Sequence, residues 1–470
     1  MPAPEPGTPL DLSVARRLHV VGIGGVGMSA YAAILAELGH RVTGSDLKES
    51  PRFARLRLLG VECMVPQRRE NVPLDADAVI VSSAIPAANV EVRAARETGI
   101  PVVSRADALA GIVAERRGIG VAGTHGKTTT SSMLTLMLRA AGMHPSFLIG
   151  SELHEVGTNE GLDVGDWLVA EADESDGTFL RLALDAAIVT NVDEDHLWYW
   201  GDMAHLEAAF ARFVDGVEGP LVLCADDRVS AALAAARPRA ITYGWAEGAR
   251  YRGTGYHGGP GGSAFALERD GERLGTLRVP VLGRHHAQNA TAAAALALEL
   301  GASFDAVRSA LASFGGVARR FQHRGELDGV TIVDDYALLP PEIQATIRAA
   351  REGGWRRVIA VFQPFRYART AIMWREFADA FVGADQVVLT DVCGYHEQPI
   401  PGVTGHLLVK AVLDAHPDLP VAYFPHRAEL VDLVPAYARR GDVILTLGGG
   451  DITSLPDEWL ARADKRGGAR

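Results

Sequence analysis

Short apolar runs recur along the chain, each closing on glycine or a polar residue and each followed by residues at helical spacing. LHVVGIGG reads as a buried strand entering a turn, and MSAYAAILAELG as a helix closed by Gly39. RVTGSD, ADAVIVSSA and IPVVS continue the alternation. The pattern restarts at RRGIGVAGTHGKTTT, with SSMLTLMLRAAG as its helix and DWLVAEAD, AAIVTNV and PLVLCAD as further strands. A glycine-dense stretch from Tyr251 to Val281 reads as β-hairpin. The run TAAAALALEL, bounded by Asn289 and Gly301, reads as a packed helix. A third restart near Arg319 brings TIVDDYA, RRVIAVFQP, DQVVLTDV, VAYFP and DVILTLGGGD. Apolar strands alternating with helices predict parallel βαβ units, and three restarts predict three α/β domains, 1–116, 117–318 and 319–470.

Composition narrows the class. The 470 residues carry a formal charge of −12, which argues against nucleic acid as the main partner. Three scattered cysteines, Cys63, Cys224 and Cys393, fit reduced thiols. No apolar run reaches the length of a membrane span, and MPAPEPGTPLDLS lacks the basic and apolar regions of a signal peptide. The expectation is a cytoplasmic protein without a membrane partner.

Two glycine-rich turns carry the first chemistry. In GTHGKTTT (123–130), Gly123 and Gly126 let the backbone of Thr124, His125 and the following residues wrap a phosphate at a helix start. Lys127 can reach β/γ oxygens, and the Thr128 hydroxyl, followed by Thr129, can ligate Mg²⁺. A strict P-loop places glycine at 121, where this chain has Val121; the shorter G-x-x-G-K-T form is present. This turn is the expected ATP site. GIGGVG (22–27) satisfies G-x-G-x-x-G through Gly22, Gly24 and Gly27, and Asp46 lies nineteen residues beyond Gly27, where a ribose-binding acid would sit. A nicotinamide-dependent dehydrogenase is the alternative for that turn, but it leaves the second turn unexplained.

Acids cluster at strand ends nearby. EADESD (171–176) places Glu171, Asp173, Glu174 and Asp176 after DWLVA, and NVDEDH (191–196) places His196 after AAIVTNV. Beside a phosphate loop both suit divalent-metal coordination. In GRHHAQNA, His285 and Asn289 stand one helical turn apart, with helix capping as the other reading of Asn289. Arg320 of RRFQ can bridge to a transferring phosphate. DDYALLPPE and FQPFRYART put acids, Tyr336 and Arg366 just past apolar strands, where α/β ligand sites form. LGGGD (447–451) is a third glycine-rich strand end to which the sequence assigns no role.

In this order GIGGVGMSA, SSAIP, GTHGKTTT, EADESD, N-x-x-x-D-H, GRHHAQNA, RRFQ, DDY and FQPFRYART resemble the Mur ligase family along nearly the whole chain. The resemblance implies a Rossmann-like N-terminal domain, a central P-loop ATPase-like domain and a Rossmann-like C-terminal domain that takes the amino acid. It implies ATP-dependent activation of a muramyl carboxylate as an acyl phosphate, then attack by an amine, in peptidoglycan precursor synthesis. Carried over position by position, Lys127 and Thr128 serve the ATP phosphates and Mg²⁺, with Glu171 and His196 as further metal ligands. His285 and Asn289 contact adenine, Arg320 the γ-phosphate region, and Asp334 or Asp335 (preferably Asp335) the ATP ribose. Gly24, Gly25, Val26, Gly27, Asp46 and Ser83 hold a UDP-sugar, UDP-N-acetylmuramate, while Tyr336 and Arg366 hold L-alanine or another small amino acid.

Within the family, HVVGIGGVGMSA and SSAIP resemble the branch that adds L-alanine. Ligases acting later in the stem peptide carry a lysine soon after the histidine, where HLEAAFARF has Phe210. Leu338, Leu339, Phe365 and His286 depart from the branch pattern and leave the amino-acid end more apolar. Alternatives are a paralogous ligase that adds another amino acid or a peptide, and a non-catalytic regulator that keeps only the UDP-sugar cradle.

Overall fold

The computed structural model describes residues 9–395 and 397–467, and three sheets organise them. The first contains Arg17–Val21 (β1), Arg41–Ser45 (β2), Glu62–Met64 (β3), Ala78–Val81 (β4) and Val102–Ser104 (β5), all parallel, in the order β3-β2-β1-β4-β5. Strand order reverses between β1 and β4. GIGGVG follows β1 and SSAIP follows β4, so both loops open at the topological switch point where doubly wound sheets bind ligands.

The second sheet holds Arg117–Ala122 (β6), Ser146–Leu153 (β7), Thr158–Gly161 (β8), Trp167–Glu171 (β9), Ala186–Val189 (β10), Leu221–Cys224 (β11) and Ile241–Gly244 (β12). Tyr251–Gly259 (β13), Gly262–Arg269 (β14) and Glu272–Val279 (β15) complete it as two successive hairpins. The order is β15-β14-β13-β12-β11-β10-β6-β9-β7-β8. β6 lies between β9 and β10, parallel to both, so GTHGKTTT, EADESD and NVDEDH leave three adjacent strands at the same end. The third sheet holds Gln322–Leu327 (β16), Val330–Asp335 (β17), Val358–Gln363 (β18), Gln386–Thr390 (β19), Val421–Phe424 (β20) and Val443–Gly448 (β21), in the order β16-β17-β21-β18-β19-β20. Only β16 runs antiparallel, and DDY, FQPFR and GGGD again follow three adjacent strands.

Sequence reasoning placed the long apolar strands and missed β3, β7, β8, β12 and β16. β3, β8, β12 and β16 are short, edge-lying or polar, and β7 carries Gly150 and Ser151 in mid-run. The central strands are apolar on both faces because helices cover both; every residue of β18 and β21 is buried. The helix Lys127–Ala140 begins behind Gly126, which is left-handed (φ +83°), and Gly142 (φ +74°) follows its end. The predicted alanine-rich helix spans Arg284–Glu299, with Ala292–Ala297 fully buried. Phe210 is fully buried, its ring centroid 5.1 Å from that of Phe179, so the position that lacks the lysine is core. Among the described residues no helix is long and apolar enough to cross a membrane.

Among the described residues two compact units emerge from the packing: one is formed within 9–254, 266–277 and 288–314, the other within 255–265, 278–287 and 315–467.

Candidate functional site

In the first unit, the turn after β1 is closed by its own neighbours. The Gly24 N–H donates to Asp46 Oδ2 (2.8 Å), and the Ser50 hydroxyl donates to the Gly24 carbonyl (3.1 Å). A Cβ at Gly24 would lie 2.8 Å from that carboxylate oxygen, so only glycine fits. The helix Val26–Glu37 starts directly behind Gly25. Ile85 of the SSAIP loop packs on Gly22, while Ser83 is exposed on the same loop. Asp46, expected to reach a ribose, thus spends one oxygen on Gly24 and the other on the Leu47 N–H (2.7 Å).

The second turn is built more tightly and carries charge. Gly123 has φ +130°, and a Cβ there would fall 2.0 Å from Thr190 Oγ1. Asn191, at the end of β10, shapes the loop: its carbonyl accepts from the Thr124 N–H (3.1 Å), its side-chain oxygen from the His125 N–H (2.9 Å), and its amide donates to the His125 carbonyl (3.0 Å). Lys127 folds back over the loop, donating to the Gly123 carbonyl (2.7 Å) and to Glu174 Oε2 (2.7 Å), with Asp173 at 3.7 Å. Burial pulls the Lys127 ammonium down, but Glu174 and Asp173 outweigh it and hold it above its ordinary value, so it stays charged. Thr129 is buried one position behind Thr128 in the same helix.

The acids divide their work. Glu171 is raised by burial, against the Gly150 N–H (2.7 Å to Oε1), Lys127 and the Thr128 hydroxyl. Asp173 is lowered: burial is outweighed by Lys127, the Ser175 hydroxyl and N–H, and Arg105. His196 (φ +55°) stands with Nε2 4.0 Å from Glu174 Oε1 and 3.3 Å from Asp195. The structure therefore brings Thr128 and Glu171 together, whereas His196 meets Glu174, an acid of EADESD that the sequence did not single out as a ligand. Among the described residues no set of three or more His, Cys, Asp or Glu side chains forms a metal cage. Mg²⁺ at a nucleotide commonly takes one or two carboxylates plus phosphate oxygens and water, so the donors fit that ion. Glu174 Oε1, buried and without a hydrogen-bond partner, is the clearest sign of fit.

Asn289 is not a helix cap. It lies inside Arg284–Glu299, 8% exposed, and its side chain would sit 2.6 Å from a Cβ on Gly126. That places it at the phosphate turn.

In the second unit, the backbone bends sharply at Arg319 (φ +61°) and Phe321 (φ +48°), on either side of Arg320. The guanidinium groups of Arg319 and Arg320 lie over the Tyr336 ring, 4.7 and 5.4 Å from its centroid. The two aspartates of DDY separate cleanly. Asp334 is fully buried and accepts from the Thr446 (2.7 Å) and Thr453 (2.5 Å) hydroxyls, a structural role. Asp335 accepts the Phe321 N–H (2.7 Å) and is pushed up to about 7 by burial, with Arg320 and that N–H opposing. His285 is pushed down to about 4 by burial together with Arg348 and Arg320, so its ring is neutral near pH 7 and can pair with a nucleobase edge. Its neighbour His286 is buried and lowered further by burial and by His285.

Arg366, in the loop after β18, is held at φ +71°, the kind of backbone strain that collects at functional positions. Its N–H donates to the Cys393 carbonyl (2.9 Å). The three leucine and phenylalanine departures do different things. Leu339 is buried in the core, whereas Leu338 and Phe365 both press on Gly449, where a Cβ would meet each at 3.0 Å. Gly450 is flanked in the same way by Cys393 and Gln363. The glycines of LGGGD thus let β21 end beneath two side-chain walls, which no sequence signal indicated.

Comparison with known proteins agrees with this arrangement. Family models match in chain order: the Mur ligase catalytic domain over residues 17–117, the Mur ligase middle domain over 121–297 and the Mur ligase glutamate ligase domain over 319–450. The UDP-N-acetylmuramate–L-alanine ligase of Rubrobacter xylanophilus is 45% identical over 454 residues, covering 95% of this chain and all of that protein. The enzyme of the same name from Pelotomaculum thermopropionicum is 44% identical, covering 95% of this chain and 97% of its own. The crystal structure of UDP-N-acetylmuramate–alanine ligase from Thermotoga maritima superposes with a TM-score of 0.82 at 28% identity, covering 96% of this chain and all of that one. Three successive domain matches, full-length relatives and motif loops at adjacent strand ends make one statement: the chain belongs to the Mur ligase family.

Proposed function

We propose that this protein joins L-alanine to the carboxylate of UDP-N-acetylmuramate with ATP, in the cytoplasm, as a step of peptidoglycan precursor synthesis. The observation that carries the reading is the intact second cradle, with buried Lys127 charged among Glu171, Asp173 and Glu174, in a chain 45% identical end to end to proteins of that activity. A regulator that only gripped a UDP-sugar would not need this set. A dehydrogenase would leave it without purpose.

The chemistry follows from what the residues can do. A carboxylate is a poor electrophile; transfer of the γ-phosphoryl group to its oxygen releases ADP and creates a leaving group. The amine then attacks the acyl carbon, and the tetrahedral adduct expels phosphate as the amide forms. Lys127 and the helix start behind Gly126 offset charge on the β/γ oxygens. Arg320 serves the transferring phosphate, neutral His285 and Asn289 the adenine, and Asp335 the ribose. Mg²⁺, when bound, draws charge from the phosphates, and Thr128, Glu171 and His196 would hold it, with Glu174 as a fourth donor. Gly24, Gly25, Val26 and Gly27 take the UDP diphosphate beside Ser83. Tyr336 and Arg366 orient the amino acid. All of these groups bind and place; none forms a covalent intermediate.

A second reading, a ligase for a different amine, draws on the apolar pair Leu338 and Phe365 against Gly449. Phosphate release with ATP, Mg²⁺ and UDP-N-acetylmuramate, screened across single amino acids with product mass, decides between them. Release that requires L-alanine and yields the alanyl amide is the expected result. Turnover with another amine alone transfers the assignment to the second reading, and binding without turnover supports the regulator.

A further inference from the structure

Outside the residues already assigned, a cluster of four charges lies where the helix Arg105–Ala114 meets the acidic strand end after β9. That helix closes the N-terminal sugar-binding segment, and Ser104 caps it: its hydroxyl donates to Asp107 Oδ2 (2.6 Å) and accepts the Asp107 N–H (3.1 Å). From its first turn, two ion pairs of opposite polarity cross to the ATP-binding segment. Arg105 Nη2 lies 3.0 Å from Asp176 Oδ2, and Arg181 Nη1 lies 2.5 Å from Asp107 Oδ1. Asp107 and Arg181 are 12% and 16% exposed in their side chains, so this second pair is sheltered from solvent screening. The Thr178 N–H (3.1 Å) and hydroxyl both donate to the other oxygen of Asp176 and fix the loop from its far side.

The clasp reaches both cradles. The loop that Arg105 holds through Asp176 also carries Asp173 and Glu174, which lie 3.7 and 2.7 Å from the Lys127 ammonium. Tyr31, 7% exposed, comes from the helix that starts at the UDP cradle; burial pushes its hydroxyl up to about 12, with Arg105, Asp176, Asp173 and Glu171 as the charges around it. The Arg105 guanidinium, held 3.0 Å from Asp176, thus adjoins the EADESD loop beside GTHGKTTT, and Tyr31 brings in the helix behind GIGGVG.

We propose that Arg105 and Asp107, with Asp176 and Arg181, are positioning residues for the ligase reaction: a double clasp that sets the sugar-binding helix against the acidic loop, so that the muramyl carboxylate and the γ-phosphoryl group are held in line. The proposal rests on the ligase reading. Opposite polarity disfavours a slip in register, because a slip that brought Arg105 toward Arg181, or Asp107 toward Asp176, would set like charges together. None of the four is required to touch ATP or the sugar.

The test is a charge-exchange cycle in the full-length protein: Arg105→Asp, Asp176→Arg and the double variant, with Arg105→Lys as the milder change. Each single reversal should lower kcat about 100-fold, the scale of a misplacement of about 1 Å, while the dissociation constants for UDP-N-acetylmuramate and ADP stay near wild type. The double variant should recover most of the loss, since it restores an ion pair across the same junction. Unchanged kcat in Arg105→Asp overturns the proposal. Loss of UDP-sugar affinity without rescue in the double variant also overturns it, by making Arg105 a direct ligand contact. Should a single reversal fail to fold, Arg105→Lys must show the same split of kcat from affinity, and its absence counts against the clasp. If wild type turns over with no amine, the ligase reading fails by itself. The clasp is then read from ligand linkage: UDP-sugar should tighten ADP binding in wild type and the double variant but not in the singles, and equal linkage in all four overturns it.

Discussion

Removing Lys127 should break the protein in two separable ways. Its ammonium lies 2.7 Å from Glu174 Oε2, and the two side chains are 14% and 1% exposed. At an effective dielectric of about 20, that pair attracts by about 6 kcal/mol before desolvation is set against it. Lys127→Ala leaves the Glu174 carboxylate buried and uncompensated, with Oε1 already lacking a partner. Breaking a buried pair from one side costs about 3–5 kcal/mol, so a loss of that size is expected in urea unfolding. Turnover should vanish as well, because no other lysine stands in the loop. The double change Lys127→Met with Glu174→Gln removes both charges while keeping shape, and stability should return to within about 1 kcal/mol of wild type. Phosphate release should stay absent. Wild-type stability in Lys127→Ala refutes the buried-pair argument, and surviving ATP turnover refutes the assignment of the cradle.

Gly24→Val places a branched side chain where even a Cβ would lie 2.8 Å from Asp46 and 2.9 Å from Ser50, so KM for the UDP-sugar should rise with ADP affinity unchanged by calorimetry. Equal losses for both ligands would show that the cradles are not separate. Gly123→Ala forces a Cβ to 2.0 Å from Thr190 Oγ1 at φ +130°; strain of about 1–3 kcal/mol and loss of ADP binding are expected, and undiminished binding contradicts it. Asp335, pushed up to about 7 by burial, binds its proton more tightly folded than unfolded. Its stabilising contribution is complete below about pH 4, falls as pH rises and is lost through pH 7, so Asp335→Asn should flatten the pH 4–7 slope of stability. A ¹³C carboxyl titration midpoint near 4 for Asp335 would rule this out.

Much of this was legible in the sequence because the informative residues are local. A phosphate turn is defined by glycines, a lysine and the helix behind them, all within GTHGKTTT, and the strands that carry the motifs are long apolar runs. What escaped depends on partners distant in sequence. Glu174 could not be told from the other acids of EADESD until Lys127, forty-seven residues earlier, folded onto it. Asn191 shapes the loop at Thr124 and His125 across neighbouring strands, and Asp334 is told from Asp335 by distant partners, Thr446 and Thr453 among them. Strand β7, broken by Gly150 and Ser151 in mid-run, lacks a readable period, so the Gly150 N–H that holds Glu171 was invisible.

The two glycine turns follow one structural rule and yet suit different tasks. Both leave a parallel strand and open a helix, so both offer backbone N–H groups and a helix dipole to a diphosphate. Only the second adds mobile charge: a buried lysine and three acids at the ends of adjacent strands, groups able to stabilise charge that moves during phosphoryl transfer. The first presents Asp46 as a brace on its own glycine and has no cation within GIGGVG. The Arg52 guanidinium beside it donates to the Gly24 carbonyl (3.4 Å), so what the turn itself offers a diphosphate is backbone N–H groups. On the proposed function, consumption of a nucleotide falls to GTHGKTTT, and the first turn would serve as a grip whose worth lies in where it puts the rest of its ligand.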